Sequence, residues 1–446
     1  MSSRRHSLLS GARLAEGRQL LQWSLLILAP AILAGSASAF FLWSLEWVTW
    51  FRWEHPAVLF GLPLAGLVVG LVYHWLGRPA EGGNNLIIDE IHTPGGGVPA
   101  RLAPLVLFGT LATHLAGGSA GREGTAVQMG GAIAGWCGRR GKLSPQHLRI
   151  LLMAGVAAGF GSVFGTPLTG ALFAMEVLTI GRMEYEALIP VLLASVVGDL
   201  TCTAWGAHHT AYHIDFGDGG RRVELWLLLK VAGAGLIFGL VGLLFSEVVH
   251  LVPAWFKRAI PWAPARPVVG GFLVIAGVYA LGTRDYLGIG VTNPDSGVVT
   301  ILSAFTPGGA HAFSWWWKLV FTCLTLGSGF KGGEVTPLFF IGATLGNVLA
   351  GPAHAPVDLF AGVGFIAVFA AATNTPLACT VMGLELFGAA NTVYFATACF
   401  VAYFASGNSG IYLSQRLGVS KHFAPEHPPG LPLREVRQRE RGSPKR

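Results

Sequence analysis

Gly117-Gly118-Ser119-Ala120-Gly121-Arg122-Glu123-Gly124-Thr125 lies between two apolar segments and carries two charges where charge is expensive. Ionisable groups inside membrane-spanning segments are costly and mark transport pathways more often than packing. The small, apolar residues from Thr125 to Gly135 predict a helix. Glu123 then stands at that helix's N-terminus, beside free backbone N–H groups and the positive end of the dipole, which is an anion site. A carboxylate there can fill the site when ionised and leave it when protonated or displaced. The bland alternative is a glycine-rich packing turn with an Arg–Glu pair.

The rest of the chain places this turn in a membrane. Of 446 residues, 52% are apolar and only 12% charged, and the mean hydropathy is +0.56. That composition excludes a soluble globular domain and indicates an all-α polytopic membrane protein. Apolar runs at 20–42, 57–77, 101–117, 150–180, 186–206, 223–251, 267–283, 314–328, 335–351, 360–387 and 392–407 predict about ten or more membrane segments. Several are short and broken by Gly or Pro, as in transporters whose broken helices meet at a midplane site.

The net charge of +7 comes largely from the ends. Arg4, Arg5, Arg13 and Arg18 precede the first span, and Arg434, Arg437, Arg439, Arg441, Lys445 and Arg446 follow the last. Both ends are therefore expected on the cytoplasmic side, with no nucleic-acid partner. The first apolar run lacks a credible cleavage site and reads as a retained helix. Cys137, Cys202, Cys323, Cys379 and Cys399 are scattered and read as core residues.

An internal repeat runs through the chain. Thr166-Pro167-Leu168 with Glu176 recurs as Thr375-Pro376-Leu377 with Glu385, an offset of 209 throughout. The same shift carries Gly118-Ser119 onto Gly327-Ser328, which opens a second glycine-rich turn through Lys331, Glu334, Val335 and Thr336. With a three-residue insertion, the helix after Glu123 corresponds to the one after Val335, and the shift also carries Asn84 onto Asn293. Broken helices in matching positions of two halves point to a transporter site. The expected organisation is a cytoplasmic segment 1–19, a first transmembrane repeat 20–206, a connecting loop 207–222, a second repeat 223–416 and a basic cytoplasmic tail 417–446. Two shorter features complete the inventory. Gly82-Gly83-Asn84-Asn85 is a glycine turn opening a short helix, with the asparagines available as caps or pore donors. Ser406-Gly407-Asn408-Ser409-Gly410 leads to Tyr412 and another expected short helix.

Taken together, these features resemble the CLC family of chloride channels and proton-coupled anion antiporters, over about residues 20–416. The matching elements are the turn at 83–87, Gly121-Arg122-Glu123-Gly124, Gly332-Gly333-Glu334-Val335-Thr336-Pro337 and Tyr412. The resemblance implies CLC-type inverted repeats of broken, tilted helices, in a homodimer with one pathway per subunit. Three departures narrow it: Asn84 where most members have serine, Thr125 where most have proline, and Val177 where chloride/proton antiporters carry an inner glutamate. With Glu334-Val335-Thr336-Pro337, these are similar to the bacterial fluoride/proton antiporter branch, CLC-F.

On that resemblance, Glu123 and Glu334 are the gating and proton-coupling residues, and Asn84, Arg122, Gly124, Val335, Thr336 and Tyr412 the anion-binding ones. Fluoride is small and strongly hydrated, so its site must replace water with well-aimed donors. An Asn amide offers two donors where serine offers one. Lys331 and Arg122 raise the local potential. The implied function is export of fluoride from the bacterial cytoplasm across the inner membrane in exchange for protons, without a cofactor, metal or enzymatic step. The alternatives are a chloride/proton antiporter, a passive anion channel, and a membrane metalloenzyme built on His208, His209 and His213. The last pair is spaced like zinc ligands on a helix.

Overall fold

The computed structural model describes residues 2–217, 223–421 and 427–442. Gly219 and Gly220 of the connection, and Lys445 and Arg446 of the tail, lie outside the described residues. The first half contains α1 (Ser2–Glu54), α2 (Leu62–Val72), α3 (Asn84–His92), α4 (Leu102–Leu115), α5 (Glu123–Arg140), α6 (Pro145–Phe164), α7 (Pro167–Glu176), the two-residue strand β1 (Thr179–Ile180) and α8 (Leu188–Ala204). The second contains α9 (Leu225–Ala259), α10 (Ala265–Leu281), α11 (Ser314–Ser328), α12 (Val335–Ala353), α13 (Val357–Thr373), α14 (Pro376–Phe387), α15 (Thr392–Ala405), the strand β2 (Arg416–Leu417) and α16 (Leu433–Gly442). Among the described residues six helical stretches are long and apolar enough to cross a membrane, and five more apolar helices are shorter.

Two of the apolar runs are broken helix pairs. The run 150–180 divides at Gly165 (φ 70°) into α6 and α7, and the run 360–387 divides at Asn374 (φ 60°) into α13 and α14. Both second members begin with proline, which starts a helix at no cost but cannot continue one. The shift of 209 therefore carries the whole α6–α7 break onto the α13–α14 break. It also carries α2 onto α10 and α4 onto α11, and with the three-residue insertion α5 onto α12. The correspondence fails at α3. Asn293 lies in an irregular segment between α10 and α11, so the short helix that Asn84 begins has no helical twin.

The halves meet through small residues. Gly121 and Gly333 form an antiparallel bridge, with Gly121 N–H donating to Gly333 O at 2.6 Å and Gly333 N–H to Gly121 O at 2.8 Å. A side chain at Gly121 would press on Pro337 at 2.8 Å and the Thr336 hydroxyl at 2.9 Å, so glycine is required for the approach. Phe339 of α12 stacks on Phe365 of α13 at 3.9 Å, within a larger buried aromatic cluster.

The described parts of both ends are structured. Residues 2–19 are the first turns of the long α1, continuous with its apolar part. The C-terminal segment is folded against the body. β2 pairs in parallel with β1, and Leu433 and Val436 are buried with Ile180, Tyr403 and Leu417. Arg434 reaches Asp89 on α3 at 2.8 Å, and Arg437 forks Glu247 on α9 at 2.6 and 2.7 Å.

Candidate functional site

The glycine turn of 117–122 aims α5 so that Glu123 is its first residue, two positions earlier than the apolar pattern indicates. Glu123 is fully buried. Its carboxylate does not turn back on its own helix alone. Oε2 accepts from the Thr336 amide at 3.0 Å, the Thr336 hydroxyl at 2.5 Å and the Arg122 amide at 3.2 Å. The seat is thus built mainly by the N-terminus of α12, the partner helix in the other half. Oε1 has no hydrogen-bond partner, and the Arg122 Nε lies 3.4 Å away without hydrogen-bond geometry. A carboxylate oxygen is held by three donors at the start of a helix, as an anion would be.

On one side of Glu123 lies a cavity of about 210 Å³ lined by Asn84, Gln128, Lys331, Glu334 and Tyr412. Asn84 and Glu334 converge over Gly124. A Cβ on Gly124 would stand 3.3 Å from the Asn84 amide nitrogen and 3.7 Å from a Glu334 carboxylate oxygen. Gly124 is therefore what lets both polar groups reach the first turn of α5. Glu334 is the residue before α12, and Val335, its first residue, is buried. Tyr412 is buried in an irregular segment that leads into β2, and the short helix expected after it is absent. Lys331 lines the same cavity, its ammonium 4.1 Å from the centre of the Tyr73 ring.

The two asparagines have different jobs. Gly83 (φ 52°) holds the cap position of α3, and neither asparagine caps the helix. Asn85 Oδ1 accepts from the Ser414 amide at 2.9 Å and so ties α3 to the Tyr412 segment. Asn84 lines the cavity, and its buried Oδ1 has no partner. Gln128, which sequence reading missed, also lines this cavity, five residues beyond Glu123 on α5. Its signal was an amide inside an otherwise apolar helix.

On the other side a cavity of about 650 Å³ holds Arg122, Glu46, His208 and His209. The described part of the loop after α8 contains no helix, so the His209–His213 spacing does not place two rings on one helical face. His209 lies 3.8 Å from Asp199. Burial first, then the Arg122 charge, push its imidazole down to about 4, which keeps it neutral. Val177, where an inner glutamate would stand, is buried, and its carbonyl accepts from Gln415 Nε2 at 2.9 Å.

Comparison with known proteins adds independent findings. The profile described as "voltage gated chloride channel" matches residues 65–407. The chain is 50% identical over 419 residues to a protein of Pseudomonas syringae pv. tomato named chloride/fluoride channel protein, covering 94% of this chain and 91% of that one. Among solved structures, a CLC-type fluoride/proton antiporter superposes with a TM-score of 0.83 at 36% identity, covering 89% of this chain and 98% of that one. A slow cyanobacterial Cl⁻/H⁺ antiporter shares the fold, with a TM-score of 0.73 at 20% identity, covering 86% and 94%.

Proposed function

The chain belongs to the voltage-gated chloride channel family, and on that premise we propose that it is a proton-coupled antiporter that exports fluoride. The single observation that carries the reading is the Glu123 carboxylate seated on the Thr336 amide and hydroxyl, where an anion can replace it. The similarity to a fluoride/proton antiporter and to a chloride/fluoride channel protein supports the choice of ion.

In this reading the cavity of Asn84, Glu334 and Tyr412 opens to the cytoplasm, the cavity of Arg122 opens outward, and both termini are cytoplasmic. The basic ends support that orientation. Fluoride enters from the Asn84 side, where an amide, a phenol and free N–H groups at the helix starts replace its water. Its approach to Thr336 competes with Oε2 of Glu123. Two anions cannot share the seat, so displacement or protonation of Glu123 accompanies anion entry. A protonated Glu123 makes a weaker acceptor, leaves the seat, and delivers its proton towards the cytoplasmic side. Glu334 lines the cavity there and takes the role of relay, in place of the carboxylate that Val177 lacks. An ionised Glu334 repels the incoming anion, whereas its acid form donates a hydrogen bond, so the same group links anion and proton occupancy. The inward proton gradient then drives export. The working unit is a homodimer in the bacterial inner membrane, with one pathway per subunit.

The buried, apolar Val177 favours one second reading, a passive anion channel of the same fold. Proteoliposomes loaded with fluoride or chloride, with external anion and pH recorded together, separate the two. Fluoride-driven proton uptake supports the antiporter. Anion efflux without proton movement assigns the channel.

A further inference from the structure

The outer face carries a second feature, away from Glu123. Arg52, in the last turn of α1, lies beside a cavity of about 410 Å³, whose wall includes Arg284, Ile289, Gly290 and Thr292. It shares Trp53, Ile289 and Thr292 with the Arg122 cavity. The Arg52 Nε is buried and has no hydrogen-bond partner, and no ion pair to Arg52 is formed among the described residues. The neighbouring charge it feels is Arg284, of like sign, while His114 and Lys318 lie behind it within electrostatic reach. Arg52 as a whole is half-buried, and a half-buried charge without a counter-charge is costly.

The surroundings are suited to an anion. Gly288 has φ 58°, and a Cβ there would stand 2.8 Å from both terminal nitrogens of Arg52, so the backbone lies directly against the guanidinium. The amides of Gly288, Ile289, Gly290, Val291 and Thr292 donate to no protein acceptor among the described residues. Lys318 draws the Tyr286 and Gly288 carbonyls to itself, at 3.2 and 2.7 Å, which removes acceptors from competition for Arg52. The acidic residues of the cavity do not neutralise Arg52. Glu54 and Asp295 are exposed, and Asp285 accepts from Thr283 and from the Val299 amide at 3.1 Å.

We propose that this cavity is a binding site for a phosphate-type oxyanion, held by the planar guanidinium of Arg52 with Arg284 at its mouth. A guanidinium fork matches two oxygens of such an anion, and the cavity is far larger than a halide requires. The ligand is either free phosphate or the headgroup of an anionic lipid at the outer interface; Trp53 and Pro56 are among the residues that line the cavity. This site does not depend on fluoride exchange. Its floor touches the gate only indirectly: Arg52 Cδ lies 3.6 Å from a Cβ position on Gly117, where the turn to Glu123 begins.

The test uses the full chain in maltoside micelles, which carry no phosphate. Inorganic phosphate is titrated at constant ionic strength while thermal unfolding is followed. A saturable rise in Tm is expected for the wild type. Arg52→Gln should weaken the phosphate response about tenfold or more, the loss of one charge-assisted fork. Arg52→Lys keeps charge without the fork and should fall between, and Arg284→Gln should weaken binding less. Phosphatidylglycerol added to the micelles identifies the source. If the headgroup is the ligand, it raises the wild-type Tm, abolishes the phosphate response, and leaves Arg52→Gln unmoved. If Arg52→Gln does not fold, Arg52→Lys and Arg284→Gln carry the comparison. Absent responses to both probes, or equal responses in wild type and variants, overturn the site.

Discussion

Glu176 and Glu385 each cap the broken helix that contains the other. Glu176, at the end of α7, accepts the Leu377 and Ala378 amides of α14 at 3.1 and 2.8 Å. Glu385, near the end of α14, accepts the Leu168 and Thr169 amides of α7 at 2.9 and 2.8 Å, with the Thr169 hydroxyl at 2.6 Å. The repeated Thr-Pro-Leu and glutamate are therefore the two halves of a reciprocal clasp. Each carboxylate satisfies N–H groups that a helix cannot satisfy for itself. Glu176→Gln and Glu385→Gln should each lower stability by about 1.5–3 kcal/mol, the range for hydrogen bonds to a charged group. Transport per folded protein should be unchanged, and denaturation curves beside normalised flux check both points. A stable but uncoupled Glu176→Gln would move that residue into the proton route.

Glu123→Gln removes the titrating group and leaves its shape. Fluoride-driven proton movement should vanish, with anion flux either blocked or uncoupled. Simultaneous pH and fluoride electrodes on proteoliposomes record the result, and intact coupled exchange would end the gating role.

Thr336→Val deletes one of the three donors on Oε2 and preserves the amide. Loss of a hydrogen bond to a carboxylate is worth about 1.5–3 kcal/mol. The Glu123 seat should empty more readily, so more fluoride should pass per proton. An unchanged coupling ratio would show that the backbone amide alone holds the gate.

Asn84 and Asn85 should part in phenotype. Asn84→Ser should reduce the preference for fluoride over chloride with little loss of stability, because Asn84 lines the cavity. Asn85→Ser should cost about 0.5–1.5 kcal/mol of stability through the lost Ser414 contact. Competition flux with both halides, beside thermal unfolding, tells them apart, and reversed phenotypes would exchange the roles.

Glu334→Gln asks whether the second carboxylate relays protons. A relay predicts depressed proton-coupled export per folded dimer. A helix-start carboxylate predicts only about 0.3–1 kcal/mol of lost stability. Flux normalised to folded dimer across a pH series decides, and equal rates and coupling would remove Glu334 from the route.

The repeat was legible because it is written as identical residues at one spacing, and composition made the membrane fold plain. The turn at Glu123 was legible because charge is conspicuous in an apolar chain. What could not be read was the partner. Thr336 and Glu123 meet across the two halves, and only the folded Gly121–Gly333 bridge brings them together. Gln128 was overlooked because an amide on one face of a helix carries no spacing signature. The match of Asn84 to Asn293 was arithmetic without structure, since one residue lies on a helix and the other does not. The contacts of the basic tail were not legible because Asp89 and Glu247, which receive Arg434 and Arg437, are remote in sequence.

That folded-back tail has a consequence for the order in which the protein can be made. Arg434 and Arg437 follow α15, the last apolar helix described, yet Arg434 secures α3, an element of the first half, at Asp89. It also donates to the Ser414 hydroxyl at 3.3 Å, beside Tyr412. The mouth at Asn84 and Tyr412 is therefore assembled only after α15 has been made. Glu123 likewise waits for α12 before its seat exists. A chain made only as far as α8 has neither this mouth nor this gate in place, and so offers the membrane no finished ion path.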